Sequence, residues 1–402
     1  MNNSQIIALS DRYVMKTYAR HPVAFVRGKG AYLWDADGKK YLDFLAGIAV
    51  NGLGHSHPAI VEAVSSQAAK LIHTSNLFYN QSQAELAEML CKNSFAERAF
   101  FCNSGAEANE ASVKLARIYQ KHKKGEGCYE ILTMEKSFHG RTLGMIAATG
   151  QDKVKKGFEP LPEGFRHLPF DDLDALAAAM NDKTCAVFLE PVQGEGGVRY
   201  PSPGYLSGVR ELCKKHKALL IYDEVQCGMG RTGTLFAYQH YGIEPDIMSL
   251  AKSLGAGLPI GACLATEEVA AAFQPGTHAS TFGGNFLVCE AAKAFLKVLL
   301  EDGFLEKVRQ SGAYLVEKLR GLQKKYPFVQ EVRGEGLMIG VQIEIPGKPL
   351  VDAALNEGLV INAAQEKVLR LVPPLIVGTK EIDEAVDILD DVFAEASGGT
   401  PG

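Results

Sequence analysis

From about residue 60 the chain keeps returning to one pattern, a short apolar run followed by a helical stretch. RAFFCN, EILTME, AVFLEP, LLIYDE, DIMSLA and GACLAT are such runs, and each leads into small or polar residues. This alternation predicts an α/β fold, a mostly parallel central sheet crossed over by helices on both faces. Ligands of such sheets gather at the carboxyl ends of the strands. Before this region, AYLWDADGKKYLDF reads as a β-hairpin around the Asp37-Gly38 turn. After it, the helical stretch FLVCEAAKAFLKVLLEDG leads into an αβ-rich tail. A chain of 402 residues suits one large domain and one smaller one. The boundaries expected are 56–300 for the large domain and 301–402 for a small α+β domain, with 1–55 contributing to the latter. The end, GGTPG, reads as disordered.

Charge and composition narrow the partners. A formal net charge of −5 and the lack of a long basic run argue against nucleic acid and anionic membranes. No apolar run approaches the roughly 18 residues of a membrane span. The N-terminus holds Arg12, Lys16 and Arg20 beside Asp11, without the apolar core of a signal peptide. None of the eight cysteines stands in CxxC spacing, and several lie in apolar runs. They read as reduced core thiols of a cytoplasmic protein that acts on small molecules.

The stretch LLIYDEVQCGMGRTG, residues 219–233, raises the functional question. GMGRTG fits a dinucleotide fingerprint, but Gly228 lies past the strand end and five positions beyond Asp223. A magnesium-nucleotide reading of Asp223-Glu224 needs a GxxxxGK[ST] loop, which the sequence lacks. By themselves the two acids could simply cap a turn. HSHP at 55–58 offers two histidines without a third ligand, and reads as a turn before a helix.

Four further stretches bear on the choice. In RAFFCNSGAEANEASVKLAR a strand runs into a helix start, with Ser104 and Glu107 spaced as a capping box. There Gly105 permits close backbone approach, and free N–H groups favour an anion. In MSLAKSLGAGLPIGA, Lys252 follows an apolar strand; it is a snorkelling surface residue or a buried, nucleophilic amine. KSFHGRTLG carries Phe138 and Arg141, and HASTFGGN carries Ser280 and Thr281. One cofactor asks for these types together. Pyridoxal 5′-phosphate needs an amine for its Schiff base, a carboxylate for its ring nitrogen, an anion site and a flat side chain on its ring. Lys252, Asp223, the Gly105–Ala106 turn and Phe138 would supply them in that order.

With these residues in view, the chain resembles the class III (subgroup II) aminotransferases of fold type I, from about Tyr13 to Asp391. IYDEVQCGMGRTG with Lys252 downstream is the most specific signature. YARHPVAFVRGKGAYLWDADGKKYLDFLAGIAVNGLGHSHP, NSGAEANEASVKLAR, FHGRTLG and STFGGN are similar to the acetylornithine-using branch. The resemblance implies a homodimer that moves the terminal amine of N2-acetyl-L-ornithine to 2-oxoglutarate. Succinylornithine, ornithine, 4-aminobutyrate and N-succinyl-LL-diaminopimelate remain alternative donors. It also implies residue roles. Lys252 and Asp223 are catalytic, and Gln226 partners the ring hydroxyl. Gly105 and Ala106 bind phosphate, Phe138 stacks on the ring, and Thr281 reaches the partner subunit's cofactor. Arg141, Ser280 and Tyr18 face substrate. Glu195 and Arg370 form a pair that opens for the 2-oxoglutarate carboxylate. No metal is expected. Two positions depart from the family's habit: Ser253 stands where Gly is common, and Phe286 where Pro is common.

Overall fold

The computed structural model describes residues 1–398, so all of the GGTPG tail but Gly398 lies outside the described residues. The expected hairpin forms from β2 (Tyr32–Asp35) and β3 (Lys40–Asp43), with Trp34 opposite Lys40. Gly38 takes φ 90°, and the Asp35 carboxylate accepts the N–H groups of Asp37 and Lys39 across the turn. An additional strand, β1 (Phe25–Lys29), pairs with β2.

Seven strands make the central sheet: β4 (Arg98–Cys102), β5 (Glu130–Met134), β6 (Phe165–Leu168), β7 (Thr184–Leu189), β8 (Leu219–Asp223), β9 (Ile247–Leu250) and β10 (Gly261–Ala265). Their order is β4-β10-β9-β8-β7-β5-β6. All neighbours pair in parallel except at β10, which runs antiparallel to β4 and β9. The link Ala251–Ile260 holds only a 3-10 turn, Lys252–Gly255, and no crossover helix. Without a helix the chain must return in the opposite direction. β6 escapes the apolar-run pattern because only Leu168 of its four residues is buried.

β8 shows why the runs are continuous. Leu220 and Tyr222 enter the core on one face, Leu219 and Ile221 the core on the other. Each buried aliphatic side chain there contributes roughly 1.5–3 kcal/mol. Helix Gly105–Lys124 packs over β9 and β10, and helix Tyr205–His216 over β7 and β8.

Beyond helices Phe286–Leu299 and Phe304–Lys325, the chain forms β11 (Val329–Glu335), β12 (Met338–Ile343), β13 (Leu359–Val360), β14 (Asn362–Ala364) and β15 (Val368–Leu371). Four of these form a sheet of order β11-β12-β15-β14. β13 instead joins β3 in parallel, with Leu359 opposite Leu42. All eight cysteines are free and seven are buried; burial pushes the Cys102, Cys185, Cys213, Cys263 and Cys289 thiols up to about 12. Among the described residues no helix is long and apolar enough to cross a membrane.

Candidate active site

At the carboxyl ends of β4, β5, β7, β8 and β9 lies a cavity of about 440 Å³. Seven expected residues meet in its lining: Gly105, Ala106, Phe138, Arg141, Asp223, Gln226 and Lys252. Another cavity, of about 470 Å³, opens around Phe100, Phe273 and His278 and holds none of the candidates.

Asp223 and Glu224 answer the opening question by pointing apart. Asp223 faces the cavity and is 3% exposed. Its Oδ2 accepts from Asn109 Nδ2 at 2.7 Å and from His139 Nδ1 at 2.8 Å, and its Oδ1 accepts from Val225 N–H at 3.0 Å. Glu224 turns into the protein and accepts from the N–H groups of Ala237 and Tyr238 at 2.6 and 2.7 Å. Burial pushes its carboxyl up to about 8 against the pull of those donors. The adjoining GMGRTG opens no helix, so the dinucleotide geometry is absent there. Its glycines fit backbone turns: Gly230 and Gly233 take φ 85° and 92°. Arg231 is fully buried and donates to the carbonyls of Leu337 and Pro373, joining this loop to the C-terminal sheet.

At the helix start, Ser104 Oγ accepts from Glu107 N–H at 3.2 Å. The Glu107 carboxylate accepts from Asn103 N–H and the Ser104 hydroxyl, not from the Ser104 N–H as a full capping box would have it. Gly105 and Ala106 open the helix, so their N–H groups lack helical acceptors and suit an anion. A Cβ on Gly105 would stand 2.8 Å from Val225 Cγ1, so the backbone packs as only glycine allows.

Lys252 takes φ 46° in the turn after β9 and shares the cavity with Asp223. Desolvation holds its ammonium below its ordinary pKa, while the Glu195 and Asp223 carboxylates pull the other way. Glu195 and Arg370 lie beside this cavity, with Arg370 Nη1 at 2.6 Å from Glu195 Oε1. Burial would raise the Glu195 carboxyl, but the charges of Arg370 and Lys252 and the hydrogen bonds from Arg370 and Gln226 together hold it below the usual range. The same Nη1 donates to Gln226 Oε1 at 3.0 Å, and Gln226 fits because Gly194 has no side chain to strike it. Arg370 Nη2 is buried and has no hydrogen-bond partner among the described residues, which suits a carboxylate of a ligand.

Three expected residues lie elsewhere in this chain. Thr281 is exposed and, with Ser280, lines a separate cleft beside Asn76 and Leu77. Tyr18 is 74% exposed, beside Arg20, in a cleft against the N-terminal helix. Three residues at the site were not singled out from the sequence. His139 and Asn109 hold Asp223, and Glu190 accepts the Phe138 N–H at 3.2 Å. Burial, then the Asp223 charge, push the Glu190 carboxyl well above its usual range. The position of Glu190 at the end of AVFLE, matching Asp223 at the end of LLIYD, was the available signal. Of the HSHP motif, His57 caps helix Pro58–Ala68 and His55 bonds Asp43 at 2.7 Å.

The donor set fits pyridoxal phosphate: an amine of lowered pKa, a buried carboxylate held by three donors, free helix-start N–H groups and an aromatic ring line one cavity. Comparison with known proteins agrees. The chain is 53% identical over 391 residues to the acetylornithine aminotransferase of Caldanaerobacter subterraneus subsp. tengcongensis, covering 97% of this chain and 99% of that one. It is 51% identical to the enzyme of that name from Methanocaldococcus jannaschii, covering 98% and 99%. A structure of Toxoplasma gondii ornithine aminotransferase, described with partial occupancy of PLP at its active site, superimposes with a TM-score of 0.94 at 34% identity, covering 98% and 95%. The model of the family described as Aminotransferase class-III matches residues 13–393, and the chain belongs to that family.

Proposed function

We propose that the protein transfers the terminal amino group of N2-acetyl-L-ornithine to 2-oxoglutarate, giving N-acetyl-L-glutamate 5-semialdehyde and L-glutamate, a step of arginine biosynthesis. The observation that carries this reading is the meeting of Lys252 and Asp223 in one cavity of a class III aminotransferase. The family's cofactor is pyridoxal 5′-phosphate, which supplies an electron sink for bond breaking at the substrate carbon. Lys252, Asp223, Gln226 and Phe138 would hold its ring, and Gly105 and Ala106 its phosphate. Lys252 Nζ, with its lowered pKa, serves as the base toward the proton on the substrate carbon. Asp223, oriented by His139 and Asn109, would partner the ring nitrogen. Arg141 receives the donor's carboxylate. Arg370 receives the second carboxylate of 2-oxoglutarate once Glu195 swings away, and Glu195 neutralises it when the donor binds.

The active form we propose is a cytoplasmic homodimer. Supporting this, Thr281 lies outside its own chain's Lys252 cavity, beside exposed Phe282 (61%), Leu77 (87%) and Phe78 (68%). Asn76 ties the two segments by donating to the carbonyls of Ser280 and Gly283. In the dimer, Thr281 and Ser280 would reach the partner's site, and Tyr18 would meet substrate on closure of the N-terminal segment. The domain division proposed is 56–300 against 1–55 with 301–402, supported by the pairing of β13 with β3.

The test is to add N-acetylornithine alone to the purified protein and follow its visible absorbance. The bound cofactor's band should fall and return with 2-oxoglutarate. The likeness to an ornithine aminotransferase makes ornithine the second donor to try. A band that ignores acetylornithine and responds to ornithine would move the assignment there.

A further inference from the structure

Residues 46–49 form a left-handed turn. Ala46, Gly47, Ile48 and Ala49 have φ 50°, 66°, 67° and 57° in succession. Only one is glycine, and a β-branched residue such as Ile48 avoids this region most strongly. Such strain persists only where the surroundings impose it. At one end of the turn, Asp43 Oδ1 accepts from the N–H groups of Leu45 and Ala46 at 3.0 and 2.8 Å, while His55 bonds its Oδ2. At the other end, the buried Ser253 hydroxyl donates to the Ala49 carbonyl at 2.8 Å.

Ser253 follows Lys252, whose own φ of 46° is left-handed. The hydroxyl therefore joins two strained turns, and a third element closes over it. A Cβ on Gly52 would stand 3.1 Å from Ser253 Oγ and 2.8 Å from Phe295, so Gly52 packs closely against both. Val50, next after the left-handed turn, lines the Lys252 cavity. On the opposite side, Val372 N–H, just past the Arg370 strand, donates to the Phe44 carbonyl at 2.9 Å. The turn thus stands between the strand of Arg370 and the turn of Lys252.

We propose that Ser253 is a positioning residue: its hydroxyl fastens the strained turn 46–49 to the turn carrying Lys252, and so fixes where the Lys252 amine and Val50 stand. This rests on the reading of Lys252 as the reacting amine. Without the hydroxyl, the buried Ala49 carbonyl loses its donor and each turn is free to relax alone.

Ser253→Ala removes the oxygen and little else. Two measurements on the protein loaded with pyridoxal phosphate test the proposal: hydrogen–deuterium exchange over residues 44–56 and 250–258, and the pH midpoint of the visible band. Exchange in both segments should rise about ten-fold. The midpoint should move by about half a pH unit, because it reports the surroundings of the Lys252 nitrogen. Unchanged exchange or an unmoved midpoint overturns the proposal. Ser253→Cys, of similar size with a weaker donor, replaces the Ala variant if that does not fold, with the same readouts. A wild-type protein that takes up no pyridoxal phosphate refutes the proposed function instead, and the exchange measurement then decides the link between the turns.

Discussion

His139 lines the cavity beside Asp223 and holds it: its Nδ1 donates to Oδ2 over 2.8 Å, and its ring stacks on Phe188 at 4.0 Å between centroids. The carboxylate is thereby fixed in one orientation. Asp223→Ala would strand two buried donors, Asn109 Nδ2 and His139 Nδ1, at a cost of about 1–3 kcal/mol each. The variant should lose cofactor on dialysis and melt at a lower temperature. Equal retention and an equal Tm would remove the anchoring role.

Lys252→Ala deletes the base. Turnover should fall by about 10³-fold or more, while the far-UV circular dichroism stays that of the wild type. Steady-state rates with acetylornithine and 2-oxoglutarate check this, and near-normal turnover would end the assignment.

Glu195→Gln removes the charge that faces Arg370 Nη1 at 2.6 Å. An uncovered cation then remains in the site while the donor binds. The KM for acetylornithine should rise about ten-fold, with the KM for 2-oxoglutarate nearly unchanged. Separate half-reaction rates distinguish the two, and equal effects on both would contradict a switch.

Thr281→Ala and Lys252→Ala can be mixed to test the dimer. If Thr281 serves the partner's site, mixed dimers contain one site with both an intact Lys252 and an intact Thr281. Activity should then exceed the sum of the two variants alone after unfolding and refolding together. A strictly additive mixture would place Thr281 outside the partner's site.

Glu224 gives the fold a pH dependence. Its carboxyl is pushed up to about 8 from an ordinary 4.5. A raised folded-state pKa means stability that is full below about 4.5 and lost as pH rises through about 8. Thermal melts should therefore show Tm falling between these values. Glu224→Gln, uncharged throughout, should be less stable at low pH and show a shallower fall. An identical slope in the variant would assign the dependence to other groups.

Much of the site was legible because its chemistry sits beside strong local signals. Asp223 ends an apolar strand, Lys252 follows another, and Gly105 opens a capped helix, so each could be placed within a turn of its position. What escaped the reading had weaker signals. β6 is an edge strand with one buried residue in four, and β10 carries the same apolar run whichever way it points. Asn109 lies within a helix and His139 inside a loop, and neither position announces that both side chains converge on Asp223.

The sequence by itself determined the α/β alternation and the residue types at the strand ends, because burial on both faces of a parallel sheet demands continuous apolar runs that stop where the backbone turns. Only the tertiary structure decided which acid faces the cavity, that Arg370 pairs with both Glu195 and Gln226, and that Ser253 ties one left-handed turn to another. Those relationships join segments up to 204 positions apart in the chain, as Ser253 and Ala49 are. No local propensity encodes such a distance; the packing of the sheets brings the partners together.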